Sequence, residues 1–152
     1  MFDGMEIRTV TGNKRAFLPL LLLGDEQEEM IDRYLDRGEL FALYDGGALR
    51  SAAVVTDEGG GVCELKNLAT EPQSRGKGYA CALLEFLFTR YAPRFHTMRL
   101  GTGDSPLTVP FYEKRGFVYS HRVPNFFLDH YDHPIYEGGA RLTDMLYFQR
   151  NL

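Results

Sequence analysis

Apolar and polar residues alternate over several stretches of the chain, and a period of two is typical of β-strands that bury one face. Within residues 39–61, Asp45-Gly46-Gly47 separates two such stretches, which predicts a hairpin with a tight turn. The pattern predicts strands in MEIRTVT (5–11), in both arms of that hairpin, and in VCELKNLAT (62–70), TMRLGTG (97–103), FVYSHRV (117–123) and RLTDMLYFQR (141–150).

Apolar residues at helical spacing predict helices in the intervals between these strands. Residues 14–38 are helical in character, in two pieces divided near Gly24-Asp25. This spacing predicts one regular helix from Tyr79 to Tyr91 and a short helix within residues 106–116. The order β-α-α-β-β-β-α-β-α-β-β indicates an α/β fold, a mixed sheet with helices on its faces, and residues 1–152 are expected to form a single domain.

The composition and net charge of the chain limit the classes of binding partner that we expect. Hydrophobic residues make up 44% of the chain, enough for a packed core, and the formal net charge is −4. This balance favours neither nucleic acid nor a membrane surface as a partner. The first residues lack a secretory signal pattern, and the longest apolar run, FLPLLLL, is too short to cross a bilayer. Two cysteines outside any C-x-x-C pair suit a reducing compartment, so we expect a cytoplasmic protein.

The stretch QSRGKGYA (73–80) joins a predicted strand to the predicted helix at 79–91 and contains two glycines and two cations. Backbone N–H groups at a helix start lack partners, and glycines let a phosphate approach them. The stretch therefore predicts a diphosphate site, although a simple tight turn with two solvated cations explains it too. Neither the P-loop nor the dinucleotide fingerprint fits its spacing.

The segment NLATEPQSRGKGYACALLEFL (67–87) resembles the coenzyme-binding segment of the GNAT superfamily of acetyl-CoA-dependent N-acetyltransferases. A second segment, PFYEKRGF (110–117), resembles the next motif of that family, in which a tyrosine lies four residues before Gly-Phe. The resemblance implies a mostly antiparallel sheet, flanked by helices and splayed open between strands 4 and 5. The residues that fit the two motifs are Gln73, Arg75, Gly76, Gly78, Ala80, Tyr112, Gly116 and Phe117.

The resemblance also implies a cosubstrate and its contacts. Acetyl-CoA would place its diphosphate on the glycine turn and its pantetheine arm along the end of the fourth predicted strand. A strand edge without a partner can pair with the two amides of pantetheine. The implied coenzyme-binding residues are Leu68, Ala69, Thr70, Arg75, Gly76, Lys77, Gly78, Tyr79 and Ala80.

For catalysis, the resemblance implies direct attack of an amine on the thioester. Tyr112 matches the position that faces the sulfur and can protonate the leaving thiolate, although it can also be a core tyrosine. Glu64 lies on the fourth predicted strand, where several family members have a catalytic glutamate. It can take the amine proton directly or through water, but the alternation of the strand also allows it to point to solvent. A chain of waters is the alternative base.

The acceptor side is predicted in the aromatic segment 124–140, which links the last two strands. Its carboxylate and phenols suit a cationic amine; a satellite core or a dimer contact is the competing interpretation. We expect a small-molecule primary amine as the acceptor, with a peptide or protein amine, or binding without catalysis, as alternatives. No metal is expected, and a homodimer is possible. The residues predicted to bind the acceptor are His130, Tyr131, Tyr136 and Glu137.

Overall fold

The computed structural model describes residues 4–152. Its strands are β1 (Met5–Val10), β2 (Glu39–Asp45), β3 (Ala48–Asp57), β4 (Val62–Thr70), β5 (Thr97–Gly103), β6 (Val118–Val123), β7 (Tyr136–Glu137), β8 (Ala140–Arg141) and β9 (Met145–Asn151). Its α-helices are α1 (Leu18–Leu21), α2 (Glu28–Asp32), α3 (Tyr79–Tyr91), α4 (Val109–Lys114) and α5 (Phe126–His130), and short 3₁₀ turns lie at Lys14–Phe17 and Pro72–Ser74.

The main sheet has seven strands in the order β1-β2-β3-β4-β5-β9-β6. All neighbours are antiparallel except β4 and β5, which are parallel. Parallel neighbours need a long crossover connection, and α3 supplies it. The predicted fold class, a mixed α/β sheet with flanking helices, is confirmed.

The predicted hairpin turn also forms. Gly46 and Gly47 have φ values of +61° and +80°, a region that residues with a side chain rarely adopt. Two residues with positive φ give a turn whose twist matches the twist of the flanking strands. The chain therefore reverses between β2 and β3 at the residues that the sequence indicated.

The core lies on both faces of the sheet. On one face, α3 buries Leu83, Leu84, Leu87 and Tyr91 against β2–β5, and Phe117 and Phe148 join the same cluster. Each such side chain stabilises the fold by about 1.5–3 kcal/mol through removal from water. On the other face, α1, α2 and the turn after α2 contribute Leu21, Ile31 and Leu35. The sheet is thus held from both sides near its centre.

Two segments differ from the prediction. Residues 14–38 form shorter helices than expected; Pro19 lies in the first turn of α1, where its missing N–H costs nothing, while the break near Gly24 is confirmed. The segment 124–140 contains α5 and most of the small hairpin β7–β8. Phe127 and Ile135 of this segment form a satellite core with Leu142, which follows β8. The last strand consequently begins at Met145 rather than at residue 141.

Candidate active site

The sheet opens between β4 and β5. The two strands pair only from Val62 with Thr97 to Leu65 with Leu100. Beyond that point β5 continues to pair with β9, and residues 67–70 of β4 pair with β3 on the other side. The edge of β4 that faces the opening therefore has no partner strand, and this part of β4 leads directly to the glycine turn.

The glycine turn presents a row of free amides. Gly76 and Gly78 have φ values of +76° and +85°, and a side-chain carbon on Gly76 would meet nothing within 4 Å. Within residues 4–152, the N–H groups of 76–81 donate to no carbonyl or side chain, whereas the Arg75 amide is 3.4 Å from the Pro72 carbonyl oxygen. The turn leads into the positive end of α3, and it also contains the exposed cations Arg75 and Lys77.

The start of α3 is fixed by a side chain from the neighbouring hairpin. The hydroxyl of buried Tyr79 donates to Oδ2 of Asp45 at 2.5 Å. This hydrogen bond raises the pKa of Tyr79, so the phenol stays protonated and keeps donating. The first turn of the helix, which carries the free amides, is thereby tied to the rigid β2–β3 hairpin.

Tyr112 lies on α4, partly buried between the rings of Phe111 and Phe117, whose centroids are 5.3 and 5.8 Å from its own. Burial raises the pKa of its phenol, and the charge of Glu137 adds to the effect. Among the described residues its hydroxyl has no hydrogen-bond partner. The ring thus packs on the core, as the competing interpretation expected, and the neutral hydroxyl remains able to donate.

Glu64 is buried rather than turned to solvent, with 4% of its side chain exposed. Arg99 Nε donates to its Oε1 at 2.6 Å and Lys66 Nζ lies 2.7 Å from its Oε2. Lys66 is the extra residue of a β-bulge, since Val54 pairs with Asn67 and Val55 pairs with Leu65. The bulge lies where β4 leaves β5, so the carboxylate sits at the base of the opening.

A cavity of about 200 Å³ adjoins this opening. Leu65 and Gly101 lie where the strands diverge, α2 and the turn after it form one wall, and the segment after β6 forms another. The wall carries aromatic rings, two thioethers, two carboxylates and three cations. Its lining residues are Asp25, Met30, Arg33, Tyr34, Arg37, Glu64, Leu65, Lys66, Gly101, Phe126, Tyr131, Met145 and Tyr147.

Asp25 is the centre of a hydrogen-bond network in this cavity. Tyr131 donates to its Oδ1 at 2.6 Å and Tyr34 donates to its Oδ2 at 3.2 Å. Asn67 Nδ2 in turn donates to the Tyr34 oxygen at 3.1 Å. Burial raises the pKa of Asp25, while the two phenol hydrogen bonds act in the opposite direction. The network joins β4, the segment before α2 and the segment after α5.

Gln27 connects the loop between α1 and α2 to the end of α5. Its Nε2 donates to the carbonyl oxygen of His130 at 3.2 Å, and its Oε1 accepts from the N–H of Asp132 at 3.1 Å. Together with the bond from Tyr131 to Asp25, these contacts fasten residues 130–132 across the loop between α1 and α2. We call this set of three contacts the clasp.

Residues 36–119 match the family model described as an acetyltransferase (GNAT) domain. The chain belongs to the GNAT family. The uncharacterized N-acetyltransferase YvbK of Bacillus subtilis is 32% identical over 129 residues, which cover 84% of this chain and 83% of that protein. The resemblance seen in the sequence is thereby confirmed, and the chain is an acyltransferase.

Two solved structures support the GNAT assignment across the whole sheet. A GNAT family acetyltransferase from Elizabethkingia anophelis with acetyl-CoA bound has a TM-score of 0.93 and 30% identity, covering 99% of each chain. An acetyltransferase from Bacillus subtilis in complex with CoA has a TM-score of 0.89 and 28% identity, covering 97% of this chain and 99% of its own.

The predicted acceptor residues of this GNAT protein separate in space. Tyr131 lines the cavity, whereas Tyr136 is 58% exposed on the β7–β8 hairpin. His130 stacks on Phe126, and its Nδ1 lies 2.9 Å from the carbonyl oxygen of that residue. Glu137 lies near Tyr112 and Ser105, and burial raises its pKa. Of the four residues, only Tyr131 thus lines the cavity at the opening of the sheet.

Asp25 and Gln27 are among the residues of the candidate site that the sequence did not indicate. Asp25 was interpreted only as part of a break between helices. Its phenol partner Tyr131 is 106 residues away, so no local spacing connects them. Several further acidic residues follow Asp25, and nothing in the sequence distinguishes the one carboxylate that accepts from Tyr131 and Tyr34.

Gly24 allows this network to form, and its replacement is a test of it. A side-chain carbon on Gly24 would overlap Oδ1 of Asn67, which is buried and held through its Nδ2 by Leu21 and Tyr34. We expect Gly24→Ala to lower the free energy of unfolding by about 1–3 kcal/mol through overpacking, measured by urea denaturation. Gly12→Ala is the matched control, because its added carbon would meet nothing within 4 Å. Equal stability of the two variants would contradict the tight packing of this loop.

Over residues 4–152, no group of three or more His, Cys, Asp or Glu side chains is arranged to hold a metal ion. No helix in the described part of the chain is both long and apolar enough to cross a membrane.

Proposed function

We propose that this protein transfers the acetyl group of acetyl-CoA to the primary amine of a small molecule by direct attack on the thioester. The free amides of residues 76–81 suit the diphosphate of the coenzyme. The unpaired edge of residues 66–70 suits its pantetheine arm, as an added strand would. A coenzyme held at both places directs its thioester into the opening between β4 and β5.

The small volume of the cavity is the observation that favours a small acceptor. Its volume of about 200 Å³ is below the range of about 300–1,000 Å³ common for sites of drug-sized ligands. The clasp fastens residues 130–132 over one side, where a peptide would need an open groove. A compact amine fits this space, and a folded protein's terminus does not.

The chemistry follows from the groups around the opening. The amine nitrogen attacks the thioester carbonyl carbon, and the carbonyl oxygen gains charge that the N–H of Leu68 or Ala69 can stabilise. When the C–S bond breaks, Tyr112 gives its proton to the leaving thiolate, and the second proton that the nitrogen loses as the amide forms restores the Tyr112 phenol. The ammonium proton passes to Glu64 through water, because a carboxylate retains lone pairs after binding Arg99 and Lys66.

A thiol-release assay with acetyl-CoA tests this function. We expect thiol release with small primary amines, and formation of the N-acetyl product by mass spectrometry. Faster acetylation of unstructured peptides than of any small amine would favour a peptide acetyltransferase. Tight acetyl-CoA binding without thiol release from any amine or peptide would favour a binding module.

Replacement of Glu64 tests the base. We expect Glu64→Gln to lower kcat/KM at neutral pH by about tenfold or more, because the amine then loses its proton acceptor. The deficit is expected to shrink as pH rises, since the solution then supplies free amine. The measurement is a pH profile of kcat/KM for the variant and the wild type.

Glu58→Gln is the control for this profile. Glu58 binds Arg99 at 3.3 Å and Arg37 at 3.1 Å but does not line the cavity, so its removal perturbs the same ion-pair group. If both variants lose the same activity at every pH, Glu64 has only a structural role.

A further inference from the structure

The cavity wall contains a carboxylate that no cation compensates. Asp25 accepts hydrogen bonds from two neutral phenols and from the backbone of Gln27, and it forms no ion pair with any side chain of residues 4–152. Glu64, in the same cavity, is held by both Arg99 and Lys66. A carboxylate removed from water without a cationic partner is costly, and a bound ammonium would remove that cost.

The same wall contains a cation without an acidic partner. Of its three cations, Lys66 is paired with Glu64 at 2.7 Å and Arg37 with Glu58 at 3.1 Å. Arg33, one residue after the end of α2, makes no ion pair with any side chain of residues 4–152, and it is exposed while lining the cavity. Its planar guanidinium is suited to bind a carboxylate through two parallel hydrogen bonds.

The same cavity is also lined by aromatic and apolar side chains. Tyr34, Tyr147 and Phe126 lie there with the side chains of Met30 and Met145. Such a surface suits the apolar body of a ligand, and thioethers adapt to its shape. The wall as a whole carries three cations and two carboxylates, which disfavours a ligand whose only charges are positive.

We propose that the acceptor is an amino acid, whose ammonium is bound by Asp25 and whose carboxylate is bound by Arg33. This inference rests on the proposed acetyltransferase function and adds the class of the acceptor. The ammonium must lose its proton before attack, and Asp25 holds the amine group in the cavity beside the opening where the thioester lies. Arg33 then selects amines that carry an acid group over amines that do not.

Matched substrates test the proposal. Steady-state kinetics with acetyl-CoA would compare L-phenylalanine with phenethylamine, which lacks only the carboxylate, and with spermidine. We expect kcat/KM for phenylalanine to exceed that for phenethylamine by about tenfold or more, the effect of a charge-assisted pair. Arg33→Gln should lower this ratio about tenfold, and Asp25→Asn should lower kcat/KM for both substrates.

The control is Arg90→Gln, an exposed position on α3 outside the cavity, which should leave the ratio at its wild-type value. Thermal unfolding of each variant separates misfolding from lost binding. Thiol release with spermidine but not with phenylalanine, or a ratio that Arg33→Gln does not alter, would overturn this inference and leave the acetyltransferase function standing. No thiol release with any amine would overturn both.

Discussion

Tyr112→Phe is expected to lower kcat by about 100-fold or more, with little change in the dissociation constant of acetyl-CoA. The variant removes one oxygen and keeps the ring, which packs between Phe111 and Phe117. Burial and the charge of Glu137 raise the pKa of the phenol, so it is protonated across the physiological range and able to give its proton to a thiolate. The measurement is single-turnover thiol release, with coenzyme affinity determined separately by calorimetry.

The matched control is Tyr119→Phe. Tyr119 lies on β6, is 46% exposed and has its ring against Phe148, so its variant also removes a phenol oxygen next to an aromatic neighbour. We expect wild-type kcat from it. A Tyr112→Phe variant with wild-type kcat and unchanged pH dependence would show that the ring serves packing alone and that another group protonates the thiolate.

Local signals explain why much of the fold was predictable. The helical spacing of Leu83, Leu84 and Leu87 predicts the helix that the structure has at Tyr79–Tyr91. A helix of that length is predictable because its apolar residues form one face. Asp45-Gly46-Gly47 gave the hairpin for a similar reason: positive φ at two successive residues is a property of those residues themselves. The glycine turn at 76–78 belongs to the same class of signal.

The cavity at the opening of the sheet was less predictable because it depends on contacts between distant segments. Tyr131 reaches Asp25, and Gln27 reaches the backbone at 130 and 132, across more than 100 residues. The segment 124–140 was expected as a link, and its satellite core appears only when Phe127 meets Ile135 and Leu142. A count of aromatics could indicate that the segment matters, but not which of its side chains face the opening.

The bulge at Lys66 shows a similar limit within a correctly predicted strand. The alternation of residues along the strand does not decide whether the Glu64 side chain points to the core or to solvent. The extra residue in β4 also changes which of the later side chains face α2. Asn67 is buried there and bonds to Leu21 and Tyr34. The pairing register of two strands, rather than the sequence of one, therefore fixes the position of the network around Asp25.

Gly76→Ala is expected to weaken acetyl-CoA binding by about tenfold to 100-fold, as measured by calorimetry. Gly76 has a φ of +76°, and a residue with a side chain pays about 1–2 kcal/mol there. Any relaxation toward negative φ turns the neighbouring N–H groups away from a common centre. Loss of one hydrogen bond to a charged diphosphate oxygen, which contributes about 1.5–3 kcal/mol, accounts for the change in affinity.

Gly59→Ala separates this effect from backbone strain. Gly59 has a φ of +84°, and an added carbon there would also meet nothing within 4 Å, so the two substitutions should cost similar stability. Gly59 lies in the turn between β3 and β4, away from the amides of 76–81. We therefore expect matched losses in urea denaturation but weakened coenzyme binding only in Gly76→Ala. If both variants bind acetyl-CoA like the wild type, the diphosphate does not bind to these amides. A change in the direction of these N–H groups would weaken the binding of any diphosphate that they hold.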